Sequence, residues 1–320
     1  MQFFKRKAKS SSRVGFAVSS DQLAVVHMGE RKGAPYLIAW ERVALQSEND
    51  VGKALAKVVK TMEIEGKQCS YVLNRKDYNL HLVEAPEVED SELRAAMRWK
   101  IKDLLDMKLD DAAIDVFRVP EDAYRGRKMV YVVASLKSKI QSIVNMVSES
   151  GLELAVIDIP ELVMRNLSSS YIEDENGVAF IDLRRNGSTM NITRNGELYL
   201  SRRINTQLDP DVMQSMEWES LKDRLVLEIQ RSLDYYESQM GQSPITRIVI
   251  AQRQHDGAAL AEALNDILSA EVTLLNLGEH LESAVTLTTE DQQIGMAAIG
   301  AALRGKSYAK KSGSQTEVAA

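Results

Sequence analysis

Residues 178–204 read VAFIDLRRNGSTMNITRNGELYLSRRI. Three runs rich in β-branched and aromatic side chains predict strands at 178–183, 188–194 and 197–204. The last two are joined by Asn195-Gly196, the strongest short signal for a β-hairpin, because these residue types accept positive φ. We therefore expect an antiparallel meander of three strands in this part of the chain.

The same order of elements occurs in the first half of the chain. There, three predicted strands are followed by an amphipathic helix and a buried strand, and in the second half the meander is also followed by a helix and a buried strand. Two copies of this order predict an internally duplicated α/β protein with a ligand cleft between its halves. The predicted elements are strands 13–18, 22–28, 34–45 and 69–73 with helix 50–64, then helix 218–240, strand 246–251, helix 258–268, strand 271–275 and helix 291–303.

Material without a counterpart in the second copy lies between the halves and predicts an inserted α+β subdomain at 76–151. Its helix 91–105 is expected to turn Leu93, Met97, Ile101 and Leu104 toward a core, and a later helix, ended by Gly151, to do the same with Ile140, Ile143, Val144 and Val147. The remaining expected divisions are a basic tail at 1–12, a first half at 13–75, 152–175 and 291–305, a second half at 176–290, and a disordered tail at 306–320.

Composition excludes some classes of function. The 320 residues carry a formal net charge of -6, so we expect no nucleic-acid partner. The lone Cys69 excludes an intrachain disulfide and fits a reducing compartment. No run approaches the roughly 18 apolar residues of a spanning helix, which predicts an intracellular protein without a transmembrane segment. Near the start, Lys5, Arg6, Lys7 and Lys9 make only a marginal membrane anchor.

The sequence contains no P-loop, no nucleophile elbow and no paired-histidine zinc motif. The four histidines lack metal-ligand spacing, so neither a metal site nor a catalytic residue is predicted. The remaining candidates are the first turns of the two repeats. Their backbone N–H groups could bind a phosphate, and the alternative is that they are ordinary hairpin turns. The candidate residues are Ser19 and Ser20 in the first turn and Asp182, Asn186, Gly187 and Ser188 in the second.

Four segments carry a resemblance to a known family: VGFAVSS at 14–20, LVEAP at 82–86 followed by ELRAAMRW at 92–99, LVLEIQRSLDYYESQ at 225–239, and GMAAIGAALRG at 295–305. Together they resemble the actin-like ATPases FtsA, of cell division, and PilM, of type IV pilus assembly. The resemblance covers residues 13–305 and implies a two-half actin-like fold, a duplicated ribonuclease H-like fold, with an FtsA/PilM-like insert. The basic start and the length are most similar to the PilM-type protein of mannose-sensitive haemagglutinin (MSHA) pilus biogenesis.

This resemblance implies ATP and Mg²⁺ in the cleft, with Glu228 and Arg231 near the ribose. The chain departs from the family pattern at three loops. In the first turn, Ala17-Val18-Ser19 replaces D-x-G-[ST], and in the second turn Arg184 takes the place of the glycine that usually follows the aspartate. In the third loop, residues 251–254, AQRQ, replace a glycine pair. These departures disfavour hydrolysis more than binding. An ATP-binding ATPase is therefore the alternative to a non-enzymatic protein, and a sugar kinase, with Asp158 as its nearest candidate base, has weaker support.

The resemblance also implies a partner. PilM-type proteins dock onto the cytoplasmic N-terminal segment of a PilN-like single-span inner-membrane protein, which lies extended between the first half and the insert. Tyr78, Leu80 and Leu82 alternate along one face of a predicted strand there and are the candidate partner contacts. The chain is therefore expected to be a cytoplasmic adaptor, peripheral to the inner membrane through this partner.

Overall fold

The computed structural model describes residues 12–19, 21–184, 187–209, 212–253 and 255–304. The predicted basic cluster and tail at 306–320, like the candidates Ser20 and Asn186, lie outside these residues.

Strands are β1 (Arg13–Val18), β2 (Gln22–Arg31), β3 (Ala34–Ala44), β4 (Gln68–Val72), β5 (Tyr78–Glu84), β6 (Ala112–Arg118), β7 (Met129–Leu136), β8 (Glu153–Asp158), β9 (Val178–Asp182), β10 (Ser188–Arg194), β11 (Glu197–Ile204), β12 (Arg247–Ala251), β13 (Glu271–Leu275) and β14 (Glu282–Ser283). Helices are α1 (Val51–Thr61), α2 (Asp90–Lys100), α3 (Lys137–Ser150), α4 (Pro160–Tyr171), α5 (Trp218–Asp234), α6 (Gly257–Asn265), α7 (Leu277–His280) and α8 (Thr289–Ala302).

Apart from the two-residue strand β14, which pairs with the outer edge of β3, the two halves have the same sheet topology. The first sheet has the order β14-β3-β2-β1-β4-β8 and the second the order β11-β10-β9-β12-β13. In each sheet an antiparallel meander is extended by two parallel strands. Asn195 and Gly196 join β10 to β11 with φ values of 52° and 77°, as a tight hairpin turn with two left-handed residues requires. The duplicated two-half fold predicted from the sequence is confirmed.

Helices cross between the halves. Helix α4, which follows the last strand of the first sheet, packs on β10 and β11 of the second sheet. Helix α8, which follows the last strand of the second sheet in the chain, packs back on β1 and β2 of the first sheet, and the two helices contact each other. This exchange brings the carboxyl ends of β1, β4, β9 and β12 to one side of the molecule, where a cleft opens.

The inserted material forms a third sheet in the order β5-β7-β6. Helix α2 covers one face: its residues Leu93 and Met97 and the following Ile101 pack on Val130 and Val132. Helix α3 packs on α1 and β8 of the first half and also contacts β6 and β7. It ends at Gly151, whose φ of 88° closes the helix in the left-handed conformation expected there.

Two details of the predicted helices were wrong, the burial of Leu104 and the burial of Val144. The α-helix of the insert ends at Lys100 and a short 3₁₀ turn follows, so Leu104 is 49% exposed and does not reach the core. Val144 on α3 is likewise 39% exposed, because α1 and the sheet cover only the face that carries Ile143 and Val147. The long helix 218–240 is α-helical to Asp234 and continues as a π turn over Tyr235–Gln239. Among the residues described, no helix has the length and apolar character needed to cross a bilayer.

Candidate functional site

A cleft of about 580 Å³ lies between the halves at the carboxyl ends of the parallel strands. This is where open α/β sheets usually bind their ligands, because loops from neighbouring strands diverge there. The first half contributes Ser19 after β1 and Arg75 and Lys76 after β4, and the second half contributes the turn after β9 and Arg253 after β12. Both candidate turns of the repeats therefore face one cavity.

The turn after β9 is held together by an arginine. The Arg184 guanidinium pairs with the Asp182 carboxylate at 2.7 Å and also donates to the carbonyl oxygen of Gln293 at 3.2 Å. Beneath the turn, the buried Ser188 hydroxyl accepts from the Arg184 backbone N–H at 3.0 Å. Asp182 is thus neutralised by its own turn, and Ser188 closes the turn without facing the cleft.

A second arginine lies deeper in the wall. Arg253 is only 6% exposed, and its Nη1 and Nη2 donate to the carbonyl oxygens of Leu183 and Asp209 at 3.1 and 3.3 Å. Its Nε has no hydrogen-bond partner among the described residues. Burial lowers the pKa of Arg253 from its ordinary value, while Asp256 and Asp182 act in the opposite direction. An arginine remains charged under such conditions, so a cation is buried at the edge of the cleft.

The first-half wall carries two further cations. Lys76 pairs with Glu48 at the rim. Arg75 pairs with Glu161 at 2.9 Å, and Glu161, only 1% exposed, also accepts a 2.6 Å hydrogen bond from the Tyr78 hydroxyl. Burial, with the nearby Glu161 carboxylate, raises the pKa of Tyr78 well above its ordinary value. A buried polar cluster therefore links the cleft wall to the first residue of the inserted sheet.

The structure brings some predicted residues together and separates others. Ser19, Asp182 and Gly187 line the cleft. Glu228 instead lines a neighbouring cavity of about 510 Å³, where its carboxylate accepts from the backbone N–H groups of Asn205 and Thr206 at 2.6 and 3.1 Å. Arg231 is exposed on α5 and lines neither cavity.

Two cleft residues were missed by the sequence analysis as site residues. Arg75 lies three residues after the end of the buried strand β4, and its place in the loop that follows a buried strand is the one signal that pointed to it. The sequence analysis mentioned Arg253 only within the loop 251–254, where it replaces part of a glycine pair, and did not predict it as a site residue. Asp158, the candidate kinase base, is buried and paired with Arg304 at 2.6 Å, so it is a structural carboxylate.

The donor set of the cleft does not fit Mg²⁺. Glu48 and Asp182 are the carboxylates among the described lining residues, and each is engaged by a cation of its own loop region, Lys76 and Arg184 respectively. Mg²⁺ is held in protein sites by carboxylate oxygens that are free to coordinate it. Within the described ranges, no cluster of three or more His, Cys, Asp or Glu side chains could hold a metal ion.

The face of the inserted sheet opposite α2 is a second candidate site. Tyr78 is 5% exposed there, whereas Leu80 and Leu82 are half-buried beside half-buried Phe117 and Val133. The Tyr131 hydroxyl on the same face accepts from the Ser201 backbone N–H at 2.8 Å, so β11 closes one part of this face. Strand β5 is an edge strand, and no described strand pairs with its second edge.

Comparisons with known proteins bear on the fold. No protein-family model matches the chain, and none of the curated proteins matches it. Among solved structures, the PilM-PilN type IV pilus biogenesis complex aligns with a TM-score of 0.69 at 16% identity, over 93% of this chain and 99% of that chain.

Two further structures align less closely. The cytoplasmic domain of EpsL, an inner membrane component of the type II secretion system of Vibrio cholerae, gives a TM-score of 0.50 at 11% identity, over 90% of this chain and 94% of that one. A protein with an actin-like ATPase fold from Bacteroides thetaiotaomicron gives 0.51 at 8% identity, over 86% and 93%. The chain therefore has the actin-like fold, built from two ribonuclease H-like halves with an α+β insert.

Proposed function

We propose that the chain is an adaptor of type IV pilus assembly that docks onto the cytoplasmic segment of a PilN-like inner-membrane protein. The half-buried apolar face beside the open edge of β5 is the observation that carries this proposal. The near full-length overlap with the PilM-PilN complex supports it. Within this class, the basic start and the length favour MshI, the PilM-type protein of the MSHA pilus, as the counterpart.

An open strand edge binds an extended peptide by backbone hydrogen bonding, and alternating side-chain pockets then select the sequence. Along β5, Leu80 and Leu82 point to the same face and lie opposite Val133 and Tyr131 of β7. Both leucines pack against the core while keeping part of their surface exposed. They can therefore bury further apolar area against a partner without the strand moving.

Tyr78 has a different role in this proposal. Its side chain is buried and its hydroxyl is bonded to Glu161, so it offers little surface to a peptide. It acts as a positioning residue that holds the start of β5 against α4. Leu80 and Leu82 are the contact residues.

The test is titration with the cytoplasmic N-terminal peptide of the PilN-like protein from the same organism. Leu82→Asp should weaken binding at least about tenfold, because truncating or charging an interface anchor typically costs about 2 kcal/mol. Leu80→Ala is a milder second variant that keeps the face apolar. Leu227→Asp, an exposed leucine on α5, is the matched control and should bind as the original chain does.

Thermal unfolding of each variant is measured on the same samples. If Leu80→Ala and Leu82→Asp both fold and bind with unchanged affinity, the partner contacts another surface and the proposed site is wrong. The same conclusion follows if Leu227→Asp loses binding as strongly as Leu82→Asp.

The proposed location is cytoplasmic and peripheral to the inner membrane through the partner. Four basic residues at 5–9 with two aromatics are a weak anchor on their own. The chain should therefore sediment with membranes only when the PilN-like partner is present, and deletion of residues 2–12 should change little. Partner-independent sedimentation that disappears with this deletion would contradict the proposal.

The second candidate, an ATP-binding actin-like ATPase with Mg²⁺ that regulates pilus assembly, draws its support from the fold. The pairing of Asp182 with Arg184 argues against the metal-dependent form of this function. A sugar kinase is disfavoured further, because Asp158 is held by Arg304.

A further inference from the structure

We propose that the loop between β6 and β7, residues 119–128, is a latch that fastens the inserted subdomain to the second half and holds the two halves in one arrangement. The insert is anchored to the first half by α3, which packs on α1 and β8. A contact from the insert to the second half therefore ties the halves together. This inference does not depend on the adaptor function, which concerns β5.

The tip of the latch is buried, although it joins two strands. Such loops normally run over the surface, where water satisfies their backbone groups. Here Ala123 and Tyr124 are 0% and 2% exposed and belong to the same apolar cluster as Tyr199 and Tyr236 of the second half. A turn closed by the Ala123 N–H and the Pro120 carbonyl oxygen, 3.0 Å apart, shapes the tip. The latch is therefore a folded loop that is docked, not a free connection.

Polar groups of the second half hold the tip in place. The Asp122 carboxylate accepts a 2.8 Å hydrogen bond from the Tyr199 hydroxyl and lies 3.8 Å from Nη1 of Arg194. The Gln242 side-chain amide donates to the backbone carbonyl oxygens of Asp122 and Ala123 at 2.5 and 3.3 Å. The second half thus supplies partners both to a side chain and to the main chain of the latch, and backbone carbonyls in a turn need such partners when water is excluded.

The main chain of the second half is also matched to the latch. Gly241 comes two residues after the π turn Tyr235–Gln239 and has a φ of 74°. A Cβ added at Gly241 would overlap Nε of Arg125 and lie 2.8 Å from its Cζ. The Arg125 side chain therefore crosses the backbone at a position where both the left-handed conformation and the close approach require glycine.

A second contact accompanies the latch. Strand β11 is the outer strand of the second sheet, and the Ser201 N–H on it donates to the hydroxyl of Tyr131 on β7 at 2.8 Å. An edge N–H left unpaired is open to water or to another strand. The insert thus covers part of β11 while the latch is closed, and the Ser201 amide reports whether the insert is docked.

The latch can open without unfolding the insert. The side chains of Asp122 and Arg194 are 58% and 35% exposed, and polar contacts of this kind between parts of one chain allow relative motion. The insert has its own apolar core beneath α2, which includes Met97 and Val132. Opening would therefore free the insert from the second half and remove one link between the halves.

The first experiment measures the distance between the halves by pulsed electron paramagnetic resonance. Spin labels are attached to cysteines that replace Lys57 on α1 and Glu262 on α6, both exposed. Native Cys69 is 1% exposed and should remain unlabelled. With the latch intact we expect one narrow distribution of distances. Tyr199→Phe combined with Gln242→Ala should add a second, longer distance, because three hydrogen bonds to Asp122 and Ala123 are removed.

The second experiment measures hydrogen exchange of the Ser201 amide in Gln242→Ala. Exchange should be faster by about fivefold or more, the shift expected for one lost hydrogen bond. If the loop only packs locally, Ser201 stays protected, because Gln242 bonds the loop and not Ser201. Gln141→Ala is the matched control, since this exposed amide on α3 bonds Asn145 within the same helix, and it should change neither readout.

The third experiment uses the steric match. Gly241→Ala places a methyl group where Arg125 crosses and should open the latch, and adding Arg125→Ala makes room and should restore both the narrow distribution and the protection of Ser201. Gly33→Ala is the control for backbone strain, because its φ is 78° and an added Cβ meets no atom of the described residues within 4 Å. It should lower stability and leave both readouts unchanged.

Thermal unfolding of each sample identifies the variants that fold, and Gln242→Ala and Tyr199→Phe keep the test decisive if Gly241→Ala does not. The proposal is overturned if the original chain already gives a broad distribution, or if the folded latch variants keep its distances and exchange. It is also overturned if Arg125→Ala fails to rescue Gly241→Ala, or if Gly33→Ala opens the halves equally. The measurements contain no partner peptide, so none of these outcomes bears on the adaptor function.

Discussion

The two halves have the same topology but differ in how a helix approaches each sheet. On the first sheet, α8 contacts the backbone of β1 at Gly15, where an added Cβ would lie 2.7 Å from the Ala302 nitrogen and would overlap the Ala298 carbonyl oxygen. On the second sheet, α4 is held by buried polar contacts, the Asn191 amide to the Glu161 carbonyl at 2.7 Å and Ser168 to Thr193 at 2.6 Å. Helix α8 thus packs closely on its sheet because residue 15 has no side chain, whereas α4 is held on its sheet by buried hydrogen bonds. The free energy of unfolding should therefore respond differently to substitutions at the two contacts.

The largest effect is expected in the first half. Gly15→Ala should destabilise the protein by about 4 kcal/mol or more, because the new methyl meets main chain and neither α8 nor β1 can give way cheaply. Chemical denaturation measures this loss. Gly52→Ala in α1 is the matched control, since its added Cβ would meet only the Met146 side chain at 3.7 Å.

In the control, the free energy of unfolding should stay the same or rise by up to about 1 kcal/mol, the helix propensity gained over glycine. Equal losses in the two variants would show that close approach of α8 is not the reason for glycine at position 15.

Glu161, on the first turn of α4, contacts both the second sheet and the cleft wall. Its backbone carbonyl accepts from Asn191, and its carboxylate pairs with Arg75. Glu161→Gln should cost about 3 kcal/mol, because it leaves the Arg75 cation without its buried partner. Glu48→Gln removes an exposed partner of Lys76 and should cost less than about 1 kcal/mol. Similar losses in these two variants would mean that burial of Glu161 does not decide its contribution.

A smaller effect is expected where α4 meets β10. Thr193→Val leaves the buried Ser168 hydroxyl without its partner and should cost about 1–2 kcal/mol. The double variant Ser168→Ala with Thr193→Val should recover most of this loss, because neither polar group is then left unpaired. A double variant less stable than either single one would assign the contribution to packing volume and not to the hydrogen bond.

The two turns that face the cleft also differ. Here we expect substitution to leave ATP turnover unchanged. The first turn has Ala17 where a carboxylate would be needed, and the second has Asp182 engaged by Arg184. The purified chain should show no ATP turnover above background in a phosphate-release assay with Mg²⁺, and Asp182→Ala should leave this unchanged. A clear rate that Asp182→Ala abolishes would show that the second turn works as a metal-dependent site.

Sequence patterns predicted the elements well where burial is periodic. The hairpin at Asn195-Gly196 and the helix stop at Gly151 were both correct, because positive φ is a local property of the backbone. The predicted burial of Leu104 and Val144 was wrong. Helical spacing shows which residues share a face, but not how far along the helix a neighbouring element covers that face.

The candidate cleft was predicted only in outline. The two turns were correctly expected to face one cavity, since both follow the first strand of a repeat. The engagement of Asp182 by Arg184 was not predicted, and Tyr78 was treated as a surface anchor although it is buried against Glu161.

The sequence by itself determined the duplicated order of strands and helices and the insert. Each of these depends on residue types at short spacing, where backbone geometry links pattern to structure. The tertiary structure alone decided which distant partners the buried polar side chains bind. Asp158 binds Arg304 from 146 positions away, Tyr78 reaches Glu161 from 83, and Arg253 points at a carbonyl 70 residues earlier. Such contacts depend on how separate elements pack in space, and no local spacing in the chain encodes that distance.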